Sequence, residues 1–327
     1  MGTLKAIELT PELPPHEIAN LSELAESSGF DTIFTSCHYN NRDPFLTLAQ
    51  IANSTNSIKI GPGVVNPYTT HPLTLASQMA TLWELSNGRA ILGIGAGDRS
   101  TLSHFGLKHT DILLQLSKTV EILRSLWTGN QVTYENPETN LIIHNARLNF
   151  TVGNIPIYVG TQGKNILKLS TEIAEGTLFN ATNYHDISAA IEYADTCLSS
   201  TKRSSDEFDF SAHVCVSVDS NSSKAKSASR PSVAFIVAGA STTLLQSHNI
   251  DSSIANSIRN LIQEGDFQQA FKKVTDDMLN TFSISGTPEV VSARLAEIYD
   301  RTGSIVVGYP LGPDPATAIS TIGSFLD

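Results

Sequence analysis

A chain of 327 residues, 40% hydrophobic and only 16% charged, is long enough for two ordinary domains or one large α/β barrel, and it buries a sizeable core either way. Its 21 basic against 32 acidic residues leave a net charge of −11, which repels phosphate backbones and anionic lipid, so neither nucleic acid nor a membrane is an expected partner. Three widely spaced cysteines (Cys37, Cys197 and Cys215), no charged-then-apolar leader and no apolar run of membrane-spanning length give the expectation of a reducing cytoplasm.

Eight short apolar, β-branched runs recur, each followed by a polar or glycine-rich break and then a segment with helical spacing. The first, "LKAIEL" (4–9), sets Glu8 on the face of Ala6, opposite Ile7 and Leu9. There the carboxylate either points into a barrel mouth, where desolvation raises its pKa and suits it to general acid work, or pairs with a neighbouring Lys or Arg. A helix follows in "PHEIANLSELAESSG" (15–29), with Ile18, Leu21, Leu24 and Ala25 on one face and Gly29 as its stop. "TIFTS" (32–36) runs into "CHYNN", where Cys37 and His38 are adjacent and face opposite ways. That rules against a nucleophilic dyad and leaves His38 to donate to an anionic ring or to sit as an ordinary histidine.

The third run, "IKIGPGVV" (58–65), is broken by Gly61, Pro62 and Gly63. Glycine permits close backbone approach and proline withholds a ladder donor, so a bulge is expected at this strand end. "HPLTLASQMATLWELSNG" (71–88) is a helix ending on Asn-Gly. "AILGIG" (90–95) opens "GIGAGDRS", whose Gly93, Gly95 and Gly97 imitate a dinucleotide fingerprint with the third glycine one residue early. Asp98 and Arg99 either contact a ligand there or cap the next helix. Residues 129–154, with "VTYENPETNLIIHNARLNF", read as an inserted hairpin. "IPIYVG" (155–160) passes into "GTQGKN", whose backbone amides at a helix amino terminus, beside Lys164, form an anion site or a plain connection. "TLFN" (177–180), "HVCVSV" (213–218) and "SIVVG" (304–308) complete the set, with residues 219–303 a second, helical insertion.

Eight alternations of strand and helix predict parallel pairing in a closed (β/α)8 TIM barrel, α/β in class, over 1–327 as one domain; an open doubly wound sheet is the alternative. In a barrel the chemistry gathers at the carboxyl ends of the strands. The nine histidines include no pair at zinc-protease spacing and no Cys-x-x-Cys occurs, so no metal is expected.

Ten stretches, in order along the whole chain, carry a resemblance: "AIELTP", "HYNN", "GPGVVNPY", "ELSNGRA", "GIGAGD", "IPIYVGTQG", "VAFIVAGAS", "EGDFQQA", "FSISGTPE" and "PLGPDP". In these the chain resembles the methylenetetrahydromethanopterin reductases, deazaflavin-dependent members of the bacterial luciferase-like superfamily. The resemblance implies a luciferase-like barrel carrying coenzyme F420 and reversible hydride transfer to 5,10-methylenetetrahydromethanopterin, giving the 5-methyl form. It also implies a tetrahydropterin one-carbon carrier as substrate, a homodimer or homotetramer, and a place in the one-carbon metabolism of archaeal methanogenesis. Residue by residue, it implies a non-prolyl cis peptide between Gly63 and Val64 backing the coenzyme ring, and Glu8 protonating the leaving ring nitrogen. Gln162 would lie near the pterin or ring. Cys37, His38, Asn66, Asp98, Gly160, Thr161, Gly163 and Asn180 would hold the coenzyme. One departure stands out: where the family has Asp before "HYNN", this chain has Cys37. On that account an FMN- or F420-dependent oxidoreductase or monooxygenase with another substrate is the alternative enzyme, and a flavin-binding relative without turnover the alternative class.

Overall fold

The computed structural model describes residues 4–97, 99–139, 141–201 and 203–325. The strands are β1 (Lys5–Leu9), β2 (Thr32–Thr35), β3 (Lys59–Pro62), β4 (Leu92–Gly95), β5 (Val132–Asn136), β6 (Leu141–Ala146), β7 (Ile157–Thr161), β8 (Gly176–Asn180), β9 (Asp209–Val218), β10 (Ile284–Gly286) and β11 (Ser304–Leu311). The main sheet runs β3-β2-β1-β11-β9-β8-β7-β4, and its pairs are parallel. Bridges from Ile60 to Ala90 and from Val65 to Ile94 join its two ends. The result is the closed eight-stranded barrel expected from the sequence, and each of the eight apolar runs supplies one barrel strand.

Period-two alternation divides the strand residues between two cores. Leu4, Ala6, Phe34, Ile91, Tyr158, Leu178 and Val306 fill the barrel interior. Ile7, Leu9, Ile33, Ile60, Leu92, Ile305 and Val307 face outward into the larger core shared with the helices. The fully buried Phe34 anchors the inner layer, where truncation to Ala costs about 3–5 kcal/mol.

Helices close where backbone reverses. Pro15–Ser27 stops short of Gly29 (φ 90°), and Pro72–Leu85 is followed by Asn87 (φ 53°) and Gly88 (φ 83°), left-handed positions that Asn and Gly tolerate. Arg89 then donates to the Ser86, Ala52, Thr55 and Ile58 carbonyls and to the Thr55 hydroxyl, so the "ELSNGRA" stretch is a structural clamp between neighbouring loops.

The hairpin expected in 129–154 is the antiparallel pair β5–β6. The long segment after β9 departs from expectation at its end. Its helices between Ser222 and Phe282 share a core of their own, including Val233, Val237, Met278 and Leu279. The last helix, Pro288–Thr302, instead places Val291, Leu295 and Ile298 in the main core, because it is the barrel's own connection from β9 to β11. Among the described residues no helix is long and apolar enough to cross a membrane.

Candidate active site

Glu8, one residue from the end of β1, continues the inward face begun by Leu4 and Ala6. His213 of β9 meets it there, with Nε2 2.9 Å from Oε2, and the two side chains are only 19% and 13% exposed. Burial pushes the Glu8 carboxyl up, but the hydrogen bond and charge of His213, the charge of His38 and the Tyr309 amide outweigh it and leave the group below the usual carboxylate range. This corrects the expectation of a raised pKa, which counted desolvation and missed the imidazole.

The bulge after β3 carries the cis peptide between Gly63 and Val64. Its backbone is tied on both sides, by Gly63 N–H to the Thr35 carbonyl (2.9 Å), Val65 N–H to Gly93 (3.0 Å) and Gly95 N–H to Val65 (2.9 Å). The glycines of β4 and β7 exist to receive it. A Cβ on Gly95 would lie 2.7 Å from Val64 Cγ2, one on Gly160 2.8 Å from Val64 Cγ1, and one on Gly93 2.5 Å from the Pro62 carbonyl. The partial dinucleotide fingerprint is therefore a seat for the bulge, with Gly95 and Gly160 paired in register across β4 and β7.

Asn66, also expected at the coenzyme, is buried and occupied: its Oδ1 accepts from the amides of Tyr68 and Thr69 and from the Thr69 hydroxyl. It packs beneath Gly97 and shapes the loop after the bulge. Asp98 lies outside the described residues.

Cys37 follows the end of β2, half-buried, with its Sγ 3.5 Å from the Thr35 carbonyl to which it donates. Burial pushes its thiol far up, and the charges of Asp43 and Glu8 add to this against the Gly63 amide, so it stays a neutral thiol at physiological pH. His38 is exposed beside it on the rim.

Across the mouth, β7 ends in Thr161, whose hydroxyl accepts from Gly163 N–H at 3.1 Å. Gly163 caps the helix Lys164–Ile173 with no side-chain hydrogen bond to the helix amides, and a Cβ there would meet open space. Gln162, Lys164, Asn180, Thr182 and Asp186 line a cavity of about 230 Å³ between this turn and the inserted helices. His248 closes on Asp186 at 2.7 Å. Asn180 is paired in register with His213, which joins the cavity to the Glu8 side of the mouth.

Two residues that shape the mouth escaped the sequence reading. His213 lies in a strand that was recognised, and its alternation with Ser211 and Cys215 was the available signal of an inward face. Gly308 of β11 leaves the room that His213 occupies, since a Cβ there would sit 2.9 Å from its Nε2.

The mouth thus brings a carboxylate hydrogen-bonded to an imidazole and a glycine-seated bulge to the same ends of the barrel strands, and the thiols of Cys37 and Cys215 beside Glu8 are held neutral. Such a site suits transfer of a proton and a hydride better than nucleophilic attack.

The family model for luciferase-like monooxygenases matches residues 2–304. A 5,10-methylenetetrahydromethanopterin reductase from Archaeoglobus fulgidus is 40% identical over 323 residues, covering 97% of this chain and 96% of the relative. The structure of the coenzyme F420 dependent tetrahydromethanopterin reductase from Methanopyrus kandleri superposes with a TM-score of 0.91 at 35% identity, covering 100% of this chain and 99% of that one. An F420-dependent secondary alcohol dehydrogenase in complex with an F420-acetone adduct has a TM-score of 0.84 over 100% of both chains, and at 16% identity it bears on the fold alone.

Proposed function

This chain belongs to the luciferase-like monooxygenase family and, within it, to the 5,10-methylenetetrahydromethanopterin reductases, and on that premise we propose that the barrel mouth built around Glu8 and the 63–64 bulge is its active site. The protein is an F420-dependent oxidoreductase that transfers a hydride to 5,10-methylenetetrahydromethanopterin to give the 5-methyl form. When bound, reduced coenzyme F420 supplies the hydride, and no metal or nucleophile takes part in this scheme.

The residues fit that coenzyme. Among the described residues, the buried hydroxyl of Ser36, on the inward alternation of Phe34 beside Cys37, has no hydrogen-bond partner, which suits a polar ring edge placed there. The uncapped amides at the start of Lys164–Ile173, next to Thr161 and Lys164, suit an anionic tail. Gly63, Val64, Gly160, Thr161 and Gly163 would hold the coenzyme, with Cys37 and His38 at its edge and Asn66 shaping the loop. Gln162 and Asn180, on the cavity wall, would face the pterin.

In this scheme Glu8 delivers a proton to the pterin nitrogen as its bond to the bridging carbon opens, and the bulge and cavity hold the partners in contact. Holding two ligands so converts a bimolecular encounter into a positioned one, the larger share of the rate where the coenzyme supplies the hydride. The observation that carries the assignment is the meeting of the Glu8–His213 pair and the glycine-seated bulge at the carboxyl ends of the barrel strands. It is tested by titrating the purified protein with F420 and following the coenzyme's fluorescence, then adding methylenetetrahydromethanopterin to the reduced complex; binding without any transfer to the pterin overturns it.

The same reading expects a cytoplasmic homodimer or homotetramer. Supporting association is a surface cluster of Phe235, Phe267 and Phe271, with ring centroids 6.1 to 6.4 Å apart and two of the rings 50% and 44% exposed. Sedimentation of the purified protein tests it.

A further inference from the structure

We propose that His213 is a positioning residue that stores the proton Glu8 delivers, so that the acid of the reaction is the Glu8–His213 pair. The proposal rests on the assignment of Glu8 as proton donor made above and deepens it.

A carboxyl held below its usual range is mostly ionised at neutral pH and, alone, is a poor acid. Geometry supplies the remedy. His213 Nε2 is 2.9 Å from Glu8 Oε2, and among the described residues this is the one ion pair that Glu8 makes. The groups that face Glu8 are Cys37 and His38 from the end of β2, His213 and Cys215 from β9, and Tyr309 from β11, through its amide and through a phenol that burial and the charges of Glu12 and Glu8 push up to about 12. The two thiols are pushed up by burial, Cys215 to about 12, and hold their protons, while His38 is exposed on the rim. His213 is the side chain in hydrogen-bond contact with the carboxylate, and imidazole is the side-chain type that can carry a second ring proton and pass it on. Gly308 leaves the space this ring occupies, since a Cβ there would sit 2.9 Å from Nε2.

The step balances as follows. The Nε2–H bond of the imidazolium breaks as an O–H bond forms on Oε2, and the Glu8 proton passes to the pterin nitrogen as the bond between that nitrogen and the bridging carbon breaks. The bridging carbon would take the hydride that reduced F420 supplies when bound, so that the substrate gains one hydride and one proton. His213 is left neutral and regains its proton from water through the fifth of its side chain that is exposed.

The test combines His213→Gln, which keeps a donor but cannot carry a second proton, with carboxyl-¹³C and ring-¹⁵N NMR titrations of Glu8 and His213 in the ligand-free wild type. We expect wild-type Glu8 and His213 to report common inflections, as coupled sites do. In the variant kcat should fall about 100-fold at pH 7 with KM within about threefold, and recover in part toward pH 5 as Glu8 protonates from solvent. Independent single titrations in the wild type, or a variant with an unchanged pH profile, overturn the proposal. If the variant does not fold, the wild-type titration decides. If the wild type fails to turn over with F420 and methylenetetrahydromethanopterin, the reaction assignment falls and the titration still decides the pair.

Discussion

The imidazole of His213 lies 2.9 Å from the Glu8 carboxylate, although 205 residues separate them and β11 runs between their strands. Gly308 of β11 makes the reach possible. In Gly308→Ala the new Cβ would lie 2.9 Å from His213 Nε2 and 3.0 Å from the Val214 carbonyl. The expected outcome is a loss of about 1–3 kcal/mol of stability, read by thermal melts. Turnover should fall beyond what the melt explains, because the pair is broken.

The bulge has its own test. In Gly160→Ala the Cβ would lie 2.8 Å from Val64 Cγ1, the end of a side chain, so Val64 moves while the barrel survives. F420 affinity should weaken about tenfold, near 1.4 kcal/mol, by fluorescence titration, with a smaller change in melting temperature. Unchanged affinity would detach the bulge from coenzyme binding.

Cys37 should be chemically silent. Its half-buried thiol is pushed far up and stays protonated, so iodoacetamide at pH 8 should label it far more slowly in the folded protein than after unfolding. Cys37→Asp would set a second carboxylate beside Glu8 and push Glu8 upward, visible as a higher midpoint in its carboxyl-¹³C titration.

Glu26 predicts how stability depends on pH. Burial pushes its carboxyl up, but the amides of Ser57, Ile58 and Asn56 and the Ser57 hydroxyl outweigh that and hold it down at about 2, from 4.5. A depressed pKa gives stability that is present above 4.5 and lost as pH falls toward 2. Because Glu26 is partly solvated, its contribution is discounted to about 1 kcal/mol at pH 7. Chemical denaturation of Glu26→Gln should show that difference at pH 7 and its disappearance near pH 2.

The barrel strands were legible because each is a β-branched run bounded by a break, and Gly29 and Asn87-Gly88 stop their helices for local backbone reasons. Glu8 was legible for the same reason, since period two places it with Ala6. The Glu8–His213 contact was not, because it depends on which strands become neighbours when the barrel closes. The error over Glu8's pKa follows from that, as a lone buried carboxyl and one paired with imidazole shift in opposite directions. The glycines of "GIGAG" match a dinucleotide fingerprint only in part, and the folded contacts of Gly93 with the Pro62 carbonyl, Gly95 with Val64 and Gly97 with Asn66 reveal what the sequence did not, that they make room for protein.

The central claim is tested most directly by anaerobic oxidation of reduced F420, followed at its visible absorbance band with methylenetetrahydromethanopterin as acceptor, for wild type beside Glu8→Gln. The account predicts turnover by the wild type and a loss of about 10²- to 10⁴-fold in the variant, with F420 binding retained. A folded Glu8→Gln protein that turns over at the wild-type rate would contradict it.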